Sequence, residues 1–238
     1  MALPGAVFSG TCGPNEACRK VYLLMKYKAF LFDLNGTMIN DMDYHVRAWH
    51  RILNDLGASI SMEQTKLECY GKNSEVLERV LPGRFTDAEK HAISLAKETR
   101  YQEEFRPQLR LIEGLDDVLR DWHGRGVRMA IGSAAILFNV DFVLDGLSIR
   151  HYFDAIISAD DVHRSKPDPE TYLRCAGSLG LEPADCLVFE DAPKGVESAR
   201  NAGMDCVVIT TFHPAGDFDL YGNVVRVIED YNNFVLPG

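Results

Sequence analysis

The chain has 238 residues, and its hydrophobic fraction of 46% is enough to build a sizeable core in one or two domains. Its formal net charge of −10 argues against a broad phosphate-neutralising surface, so a nucleic-acid-binding role is not expected. No apolar stretch approaches the length of a membrane-spanning helix, and the six cysteines form no C-x-x-C pattern that would indicate zinc. We therefore expect a cytoplasmic protein with no membrane partner, and, because there is no coiled-coil pattern, a monomer.

The first predicted element is a strand that follows an irregular N-terminal segment. Residues 1–25 lack helical or strand periodicity, and we predict a disordered or dispensable extension there. The apolar run of residues 29–32 indicates a buried strand that ends at Asp33. The Asn35-Gly36 pair that follows favours the tip of a β-hairpin. The alternative is a sharp turn after a strand that presents a reactive carboxylate, and this stretch alone does not decide between them.

Helical periodicity dominates residues 42–108. An apolar stripe at spacings of three and four, and a capping-box pattern of Thr86 and Glu89, predict amphipathic helices there. Beyond this segment, helices alternate with short apolar strands, which indicates an α/β fold with a parallel sheet covered on both faces. We therefore predict a core domain of residues 26–41 and 109–238, interrupted by a helical domain at 42–108.

Polar side chains follow the predicted strands at the points where the strands end. Asp33 follows the first strand, Ser133 follows the second, and Glu190 and Asp191 follow the fourth. Lys166 lies between the third strand and the next helix. Because ligands bind beyond the carboxyl ends of parallel strands, we expect these side chains to form one site.

These residue types suit phosphoryl transfer. A carboxylate such as Asp33 can attack phosphorus and divide one difficult displacement into two easier steps. The three acidic residues supply the hard oxygens that Mg²⁺ prefers, directly or through water. Lys166 can bridge the nucleophile and a phosphate oxygen, while Ser133 and the following amide of Ala134 can hold another oxygen.

Four motifs resemble those of the haloacid dehalogenase-like superfamily. They are DLNGT at residues 33–37, Ser133 after a strand, Lys-Pro at 166–167 and Glu-Asp at 190–191. The stretches SKPDPETYL and FEDAPKGVESARNAGM are similar to its β-phosphoglucomutase-like branch. The resemblance covers residues 26–215 and implies a Rossmann-like core, an inserted helical cap and Mg²⁺-dependent phosphoryl transfer. It also implies that the Asn-Gly pair is the turn after the nucleophile.

The resemblance extends to substrate-binding positions. DYHVRAW matches a segment in which relatives place a substrate-facing histidine, here His45, although a helix-surface histidine is the alternative. CYGKNSE resembles a specificity loop, which implies that Lys72 and Asn73 bind substrate, as Thr37 does in the first motif. Sugar phosphomutases typically have a lysine where this chain has Tyr70 and an arginine shortly after the glycine. Both are missing here, which weakens the mutase interpretation.

Asn35 is the main departure from the family pattern. Most phosphatases and mutases of the superfamily have aspartate at this position as the general acid and base, and an amide cannot exchange a proton in that way. The main-chain carbonyl of Asn35 can still bind Mg²⁺. General acid–base catalysis contributes about 10²- to 10⁴-fold, so a real but reduced activity is expected.

Three explanations of Asn35 stay open: a leaving group that needs little protonation, a substitution introduced to trap a complex, and a change of role to phospho-ligand sensing. We expect a Mg²⁺-dependent phosphohydrolase that acts on a small phosphorylated metabolite, such as a sugar phosphate or pyrophosphate, through an aspartyl-phosphate. The alternatives are a sugar phosphomutase of the β-phosphoglucomutase type and a catalytically weakened phospho-ligand-binding protein.

Overall fold

The computed structural model describes residues 26–232 and residue 234. The predicted N-terminal extension, residues 1–25, lies outside the described residues. Within the described part, no helix combines the length and apolar character needed to cross a bilayer.

Strands and helices follow one another as the alternating sequence pattern predicts. The strands are β1 (Ala29–Phe32), β2 (Arg128–Gly132), β3 (Ala155–Ile157), β4 (Cys186–Glu190), β5 (Asp205–Ile209) and β6 (Val224–Ile228). The α-helices are α1 (Met42–Asp55), α2 (Met62–Glu68), α3 (Asn73–Val80), α4 (Asp87–Phe105), α5 (Leu115–Gly124), α6 (Leu137–Gly146), α7 (Glu170–Ser178) and α8 (Pro193–Asn201).

The sheet is parallel, with strand order β3-β2-β1-β4-β5-β6. Phe32 at the end of β1 lies opposite Ile131 of β2 and Phe189 of β4. β2 pairs with one edge of β1 and β4 pairs with the other, so the direction of the strand order reverses at β1. The carboxyl end of β1 is therefore a topological switch point, where such sheets bind ligands. The predicted α/β fold with a parallel sheet is confirmed.

Both faces of the sheet are covered. Successive side chains of a strand point to opposite faces, and Phe30 and Phe32 belong to one hydrophobic cluster while Leu31 belongs to another. Trp122 of α5 packs on the first face, with its ring centroid 4.2 Å from that of Phe30, and Tyr172 of α7 packs on the second. Burying each large apolar side chain contributes roughly 1.5–3 kcal/mol, so this double layer fixes the position of β1.

The residues between β1 and α5 form a helical segment, residues 42–105, that has a hydrophobic cluster of its own. Trp49 and Leu53 of α1 pack there with Val76 and Leu77 of α3. The capping box predicted at the start of α4 is confirmed: Thr86 accepts from the main-chain amide of Glu89, and the Glu89 carboxylate accepts from that of Thr86.

The hairpin alternative for Asn35-Gly36 is wrong. Both neighbours of β1 are parallel strands, so the pair does not join two strands of a hairpin. Gly36 has a φ of 78°, which favours glycine, and its amide donates to the carbonyl of Ile39 over 2.8 Å. The pair is a tight turn that leads the chain out of the sheet toward α1.

Candidate active site

The strand-end residues meet at the carboxyl edge of the sheet. Lys166 lies at their centre: its Nζ donates to Asp33 Oδ1 over 2.6 Å and to Glu190 Oε1 over 2.7 Å. It also lies 2.9 Å from the hydroxyl of Tyr172, which in turn donates to Glu190 over 2.7 Å. Burial opposes the ammonium charge, but the carboxylates of Asp33 and Glu190 outweigh it and raise the pKa of Lys166 above its ordinary value.

Three buried carboxylates form a candidate metal centre. Oxygens of Asp33, Glu190 and Asp191 all lie within 4.8 Å of one another. Burial raises the pKa of Asp33 to about 7, and burial together with the charges of Glu190 and Asp33 raises that of Asp191 well above its ordinary value. A group of carboxylates this close is stabilised in its charged form by a cation, and Mg²⁺ prefers oxygen ligands of this kind.

Asp191 has an oxygen to spare for a metal ion. Its Oδ1 accepts from the hydroxyl of Thr37 over 3.2 Å, whereas its buried Oδ2 has no hydrogen-bond partner. A side chain at Gly36 would place its Cβ 2.1 Å from that free oxygen, so glycine keeps the space open. These residues fit a divalent cation, because an unpartnered carboxylate oxygen is otherwise costly to bury.

Glu190 is more fully occupied than Asp191. Besides Lys166 and Tyr172 on Oε1, its Oε2 accepts from the main-chain amides of Asp191, at 3.0 Å, and Ala192, at 3.2 Å. These contacts hold the loop after β4 and fix Lys166. The geometry therefore favours Asp33 and Asp191 as direct metal ligands and Glu190 as a residue that positions them.

Ser133 and Ala134 lie where the sequence predicts them, in the turn after β2. Ser133 is buried, its amide donates to the carbonyl of Ile157 over 2.9 Å, and its hydroxyl accepts from the amide of Ala135 over 3.1 Å. All three residues of this turn, 133–135, line a cavity between the sheet edge and the helical segment, with Asp33 and Lys166. They are in place to hold phosphate oxygens.

Asn35 is held by the buried carboxylate of Asp41, which no motif in the sequence indicates. Its side-chain nitrogen donates to Asp41 Oδ2 over 2.6 Å and lies 3.1 Å from Nε2 of His45. Asp41 also accepts from the amide of Gly36 over 3.1 Å and from the hydroxyl of Tyr101. Because a carboxylate oxygen accepts hydrogen bonds, Asp41 fixes Asn35 as a donor.

His45 lies inside the site and not on the helix surface. Lys97 Nζ is 2.6 Å from its Nδ1, and its ring stacks on Tyr101 with centroids 3.8 Å apart. Since an ammonium group only donates, Lys97 places the imidazole proton on Nε2, which lies 3.2 Å from Asp41 Oδ2. Sequence reasoning did not identify Lys97. The pattern that could have indicated it is the spacing of Lys97 and Tyr101, which lie one turn apart on the same face of α4.

The two loop residues predicted to bind substrate point to different places. Asn73 lines the cavity and donates to Glu98 Oε1 over 2.7 Å. Lys72 extends instead to the carbonyl of Val162, in the loop after β3. The cavity measures about 360 Å³, within the range of small-molecule sites.

Comparison with known proteins assigns the family. A family model described as "haloacid dehalogenase-like hydrolase" matches residues 30–209, and the chain therefore belongs to that family. It is an enzyme of this class, in its β-phosphoglucomutase-like branch.

Several characterised relatives and solved structures are similar over most of the chain. The chain is 33% identical over 183 residues to the fructose-1-phosphate phosphatase YqaB of Escherichia coli (strain K12), covering 76% of this chain and 96% of the relative. It is 28% identical over 211 residues to the β-phosphoglucomutase of Bacillus subtilis (strain 168), covering 85% and 91%. A hydrolase structure from Entamoeba histolytica superposes with a TM-score of 0.78 at 25% identity, covering 87% and 95%.

Proposed function

We propose that this enzyme is a Mg²⁺-dependent phosphohydrolase that acts on a small sugar phosphate or related ester through an aspartyl-phosphate on Asp33. One observation carries the proposal: Lys166 holds Asp33 and Glu190 while the buried Oδ2 of Asp191 has no partner beside them. This arrangement offers a nucleophile, a fixed positive charge and a place for a cation within one cluster.

The first step is attack by Asp33 on phosphorus. The oxygen that Lys166 does not hold forms the new bond to phosphorus, and the bond to the leaving oxygen breaks with its electron pair. Lys166 and the Ser133 turn stabilise the charge on the phosphoryl oxygens. Asp33, Asp191 and the main-chain carbonyl of Asn35 would hold Mg²⁺, with Glu190 positioning them, and the ion would supply positive charge for the same purpose. Water then attacks the phosphoryl group, the bond between phosphorus and the Asp33 oxygen breaks, and inorganic phosphate leaves with a proton from water released and the Asp33 carboxylate restored.

Proton transfer to the leaving group is the weak part of this site. Asn35 occupies the position two residues after the nucleophile, and its amide donates a hydrogen bond to Asp41 but is too weakly acidic to give a proton to a leaving group. The absence of a general acid lowers the rate by about 10²- to 10⁴-fold for a poor leaving group. We therefore propose that good substrates have leaving groups that need little protonation, or that turnover is slow.

The phosphatase is favoured over the mutase. A relative bears the name of a fructose-1-phosphate phosphatase, and another that of a β-phosphoglucomutase, so both activities occur among similar chains. A mutase of this type needs a proton-exchanging group and a cationic specificity loop. Asn35 lacks the first, and Lys72 is engaged with the Val162 carbonyl.

Mg²⁺-dependent phosphate release from a panel of sugar phosphates, nucleotides and pyrophosphate tests the proposal. Fresh protein is compared with Asp33→Asn and with Asp116→Asn, which alters an exposed carboxylate on α5. We expect release that needs Mg²⁺, disappears in Asp33→Asn and persists in the control. Tight binding of phosphorylated ligands without turnover in any protein would favour the binding-protein alternative, and primer-dependent isomerisation would favour the mutase.

A further inference from the structure

Two lysines at the cavity have no anionic partner. The described part of the chain holds eight of its nine lysines. Five of them form ion pairs with carboxylates: Lys26, Lys28, Lys90, Lys97 and Lys166. Lys72 donates to a carbonyl. Among the described lysines, only Lys66 and Lys194 lack both a carboxylate within ion-pairing distance and a hydrogen-bond acceptor, and both line the cavity.

Each of these lysines lies over an aromatic ring on the opposite side of the cleft. Lys66 belongs to α2 of the helical segment, and its Nζ lies 5.5 Å from the ring centroid of Phe212, which follows β5. Lys194 begins α8 of the sheet domain, and its Nζ lies 4.4 Å from the centroid of Tyr70 in the specificity loop. Both aromatic side chains also line the cavity. These contacts hold two ammonium groups at the cleft, one from the helical segment and one from the sheet domain.

The rings position these charges without neutralising them. A cation–π contact at an exposed site is worth about 0.5–1 kcal/mol, and the ammonium group keeps its full charge. The protein as a whole is acidic, with 35 acidic and 25 basic residues, so two uncompensated lysines at one cavity stand out. A low-dielectric cleft with such charges attracts anions. They are not needed at the phosphoryl site, where Lys166 already pairs with Asp33.

We propose that Lys66 and Lys194 bind a second anionic group of the substrate. The substrate is then a small phosphate ester with a further phosphate or carboxylate at the end remote from the bond that is cleaved. This inference rests on the proposed phosphohydrolase function, because it assigns the substrate of the same site. The substrate-binding role that the sequence predicts for Lys72 is thereby assigned to Lys66 and Lys194, one on each side of the cleft.

Two matched pairs of compounds test it. Glucose 6-phosphate is compared with 6-phosphogluconate, which adds a carboxylate, and fructose 6-phosphate with fructose 1,6-bisphosphate, which adds a phosphate. We expect kcat/KM to favour the doubly anionic member by about tenfold or more, mainly through KM. The double variant Lys66→Gln/Lys194→Gln should bring that ratio to about one. Lys28→Gln, an exposed lysine paired with Asp185, should leave the ratio as it is.

The outcomes separate this inference from the function on which it rests. Turnover of all four compounds at equal kcat/KM, or a preference that survives the double variant, overturns the lysine site and leaves the phosphohydrolase in place. A preference in only one pair identifies the anion as phosphate or carboxylate and supports the site. If none is hydrolysed, calorimetric affinities for the same compounds decide the site: a tenfold preference lost in the double variant supports it, and equal affinities overturn it. The proposed function is then decided separately, by phosphate release from the wider panel that includes nucleotides and pyrophosphate.

Discussion

Asn35 donates its side-chain amide to the buried carboxylate of Asp41 over 2.6 Å. The residue at the acid–base position is therefore matched to a neighbouring anion, and an aspartate there would face Asp41 at hydrogen-bonding distance. Two carboxyl groups so close share one proton, because both cannot ionise together. This contact decides what a substitution at Asn35 will do.

Asn35→Asp should gain activity and change its pH dependence. The proton shared with Asp41 provides a general acid, so we expect phosphate release to rise by about a hundredfold. The new carboxyl should have a raised pKa in the folded protein. Stability is then retained at low pH and lost as the pH rises through that value. Rates and thermal unfolding of this variant across pH check both effects.

Asn35→Ala provides the control for that gain, because it removes the donor to Asp41 without adding an acid. It should show no increase in rate. An unchanged rate in Asn35→Asp as well would contradict the view that a missing proton donor limits the enzyme.

Asp41→Asn should destabilise the protein. The new side chain keeps one acceptor oxygen, so its NH2 group would face either Gly36 or the pair of Asn35 and Tyr101, all of which already donate to this position. Leaving buried donors unsatisfied costs about 1–3 kcal/mol of the free energy of unfolding, measurable by denaturant titration. Asp43→Asn, on the exposed side of α1, should change it by no more than about 0.5 kcal/mol. Equal effects at the two positions would show that the Asp41 contacts carry little stability.

Lys166→Met should remove both activity and stability. Loss of the ammonium leaves Asp33 and Glu190 as unpaired buried carboxylates, which costs about 3–5 kcal/mol of the free energy of unfolding. Loss of its charge at the phosphoryl group should lower the rate by about 10²- to 10³-fold. The matched control is Lys28→Met, whose exposed ion pair with Asp185 is worth at most about 1 kcal/mol. A folded Lys166→Met protein with near-normal rates would exclude the assigned role.

Mg²⁺ should stabilise the protein more at high pH than at low pH. The pKa of Asp33 is raised to about 7 and that of Asp191 is also raised, so the metal-free protein holds protons there that the unfolded chain releases. Stability from Asp33 is present below its unfolded pKa and is lost as the pH rises through about 7, and that from Asp191 is lost as the pH rises through its own raised pKa. Mg²⁺ needs the deprotonated carboxylates, so its effect on the melting temperature should be larger at about pH 8 than at about pH 5.

The effect of Mg²⁺ should be strongly reduced in Asp191→Asn, because this substitution replaces the free carboxylate oxygen with a neutral amide. Differential scanning calorimetry of both proteins measures it. A melting-temperature increment that is independent of pH, or that persists in Asp191→Asn, would place the metal elsewhere.

The sheet and its edge could be predicted from the sequence because their signals are local. β1 is a continuous apolar run followed at once by Asp33, and the alternation of helices and strands determines that the strands are parallel. Ser133, Lys166 and Asp191 were found by the same rule, since each follows a strand. The hydrophobic pattern of the strands and the position directly after a strand were sufficient to predict these site residues.

The network around Asn35 could not be predicted, because it depends on contacts between distant residues. Asp41 is buried and accepts a hydrogen bond from the hydroxyl of Tyr101 on α4, and 60 residues separate the two. Tyr172 lies at a position of α7 where the sequence pattern predicts only an apolar packing residue, yet its hydroxyl accepts a hydrogen bond from Lys166. Lys72 was predicted at the cavity, but the direction of its side chain is set by the loop that carries it. Side-chain direction in loops has no periodic signal.

The most direct test of the proposed mechanism is to look for a phosphoryl group on Asp33. The enzyme is mixed with Mg²⁺ and a hydrolysed substrate, quenched in acid, and the peptides are analysed by mass spectrometry. We expect one added phosphoryl group on the peptide that contains Asp33, absent without Mg²⁺ and in Asp33→Asn. Phosphate release that proceeds in Asp33→Asn, or a phosphoryl group on another residue, would contradict it.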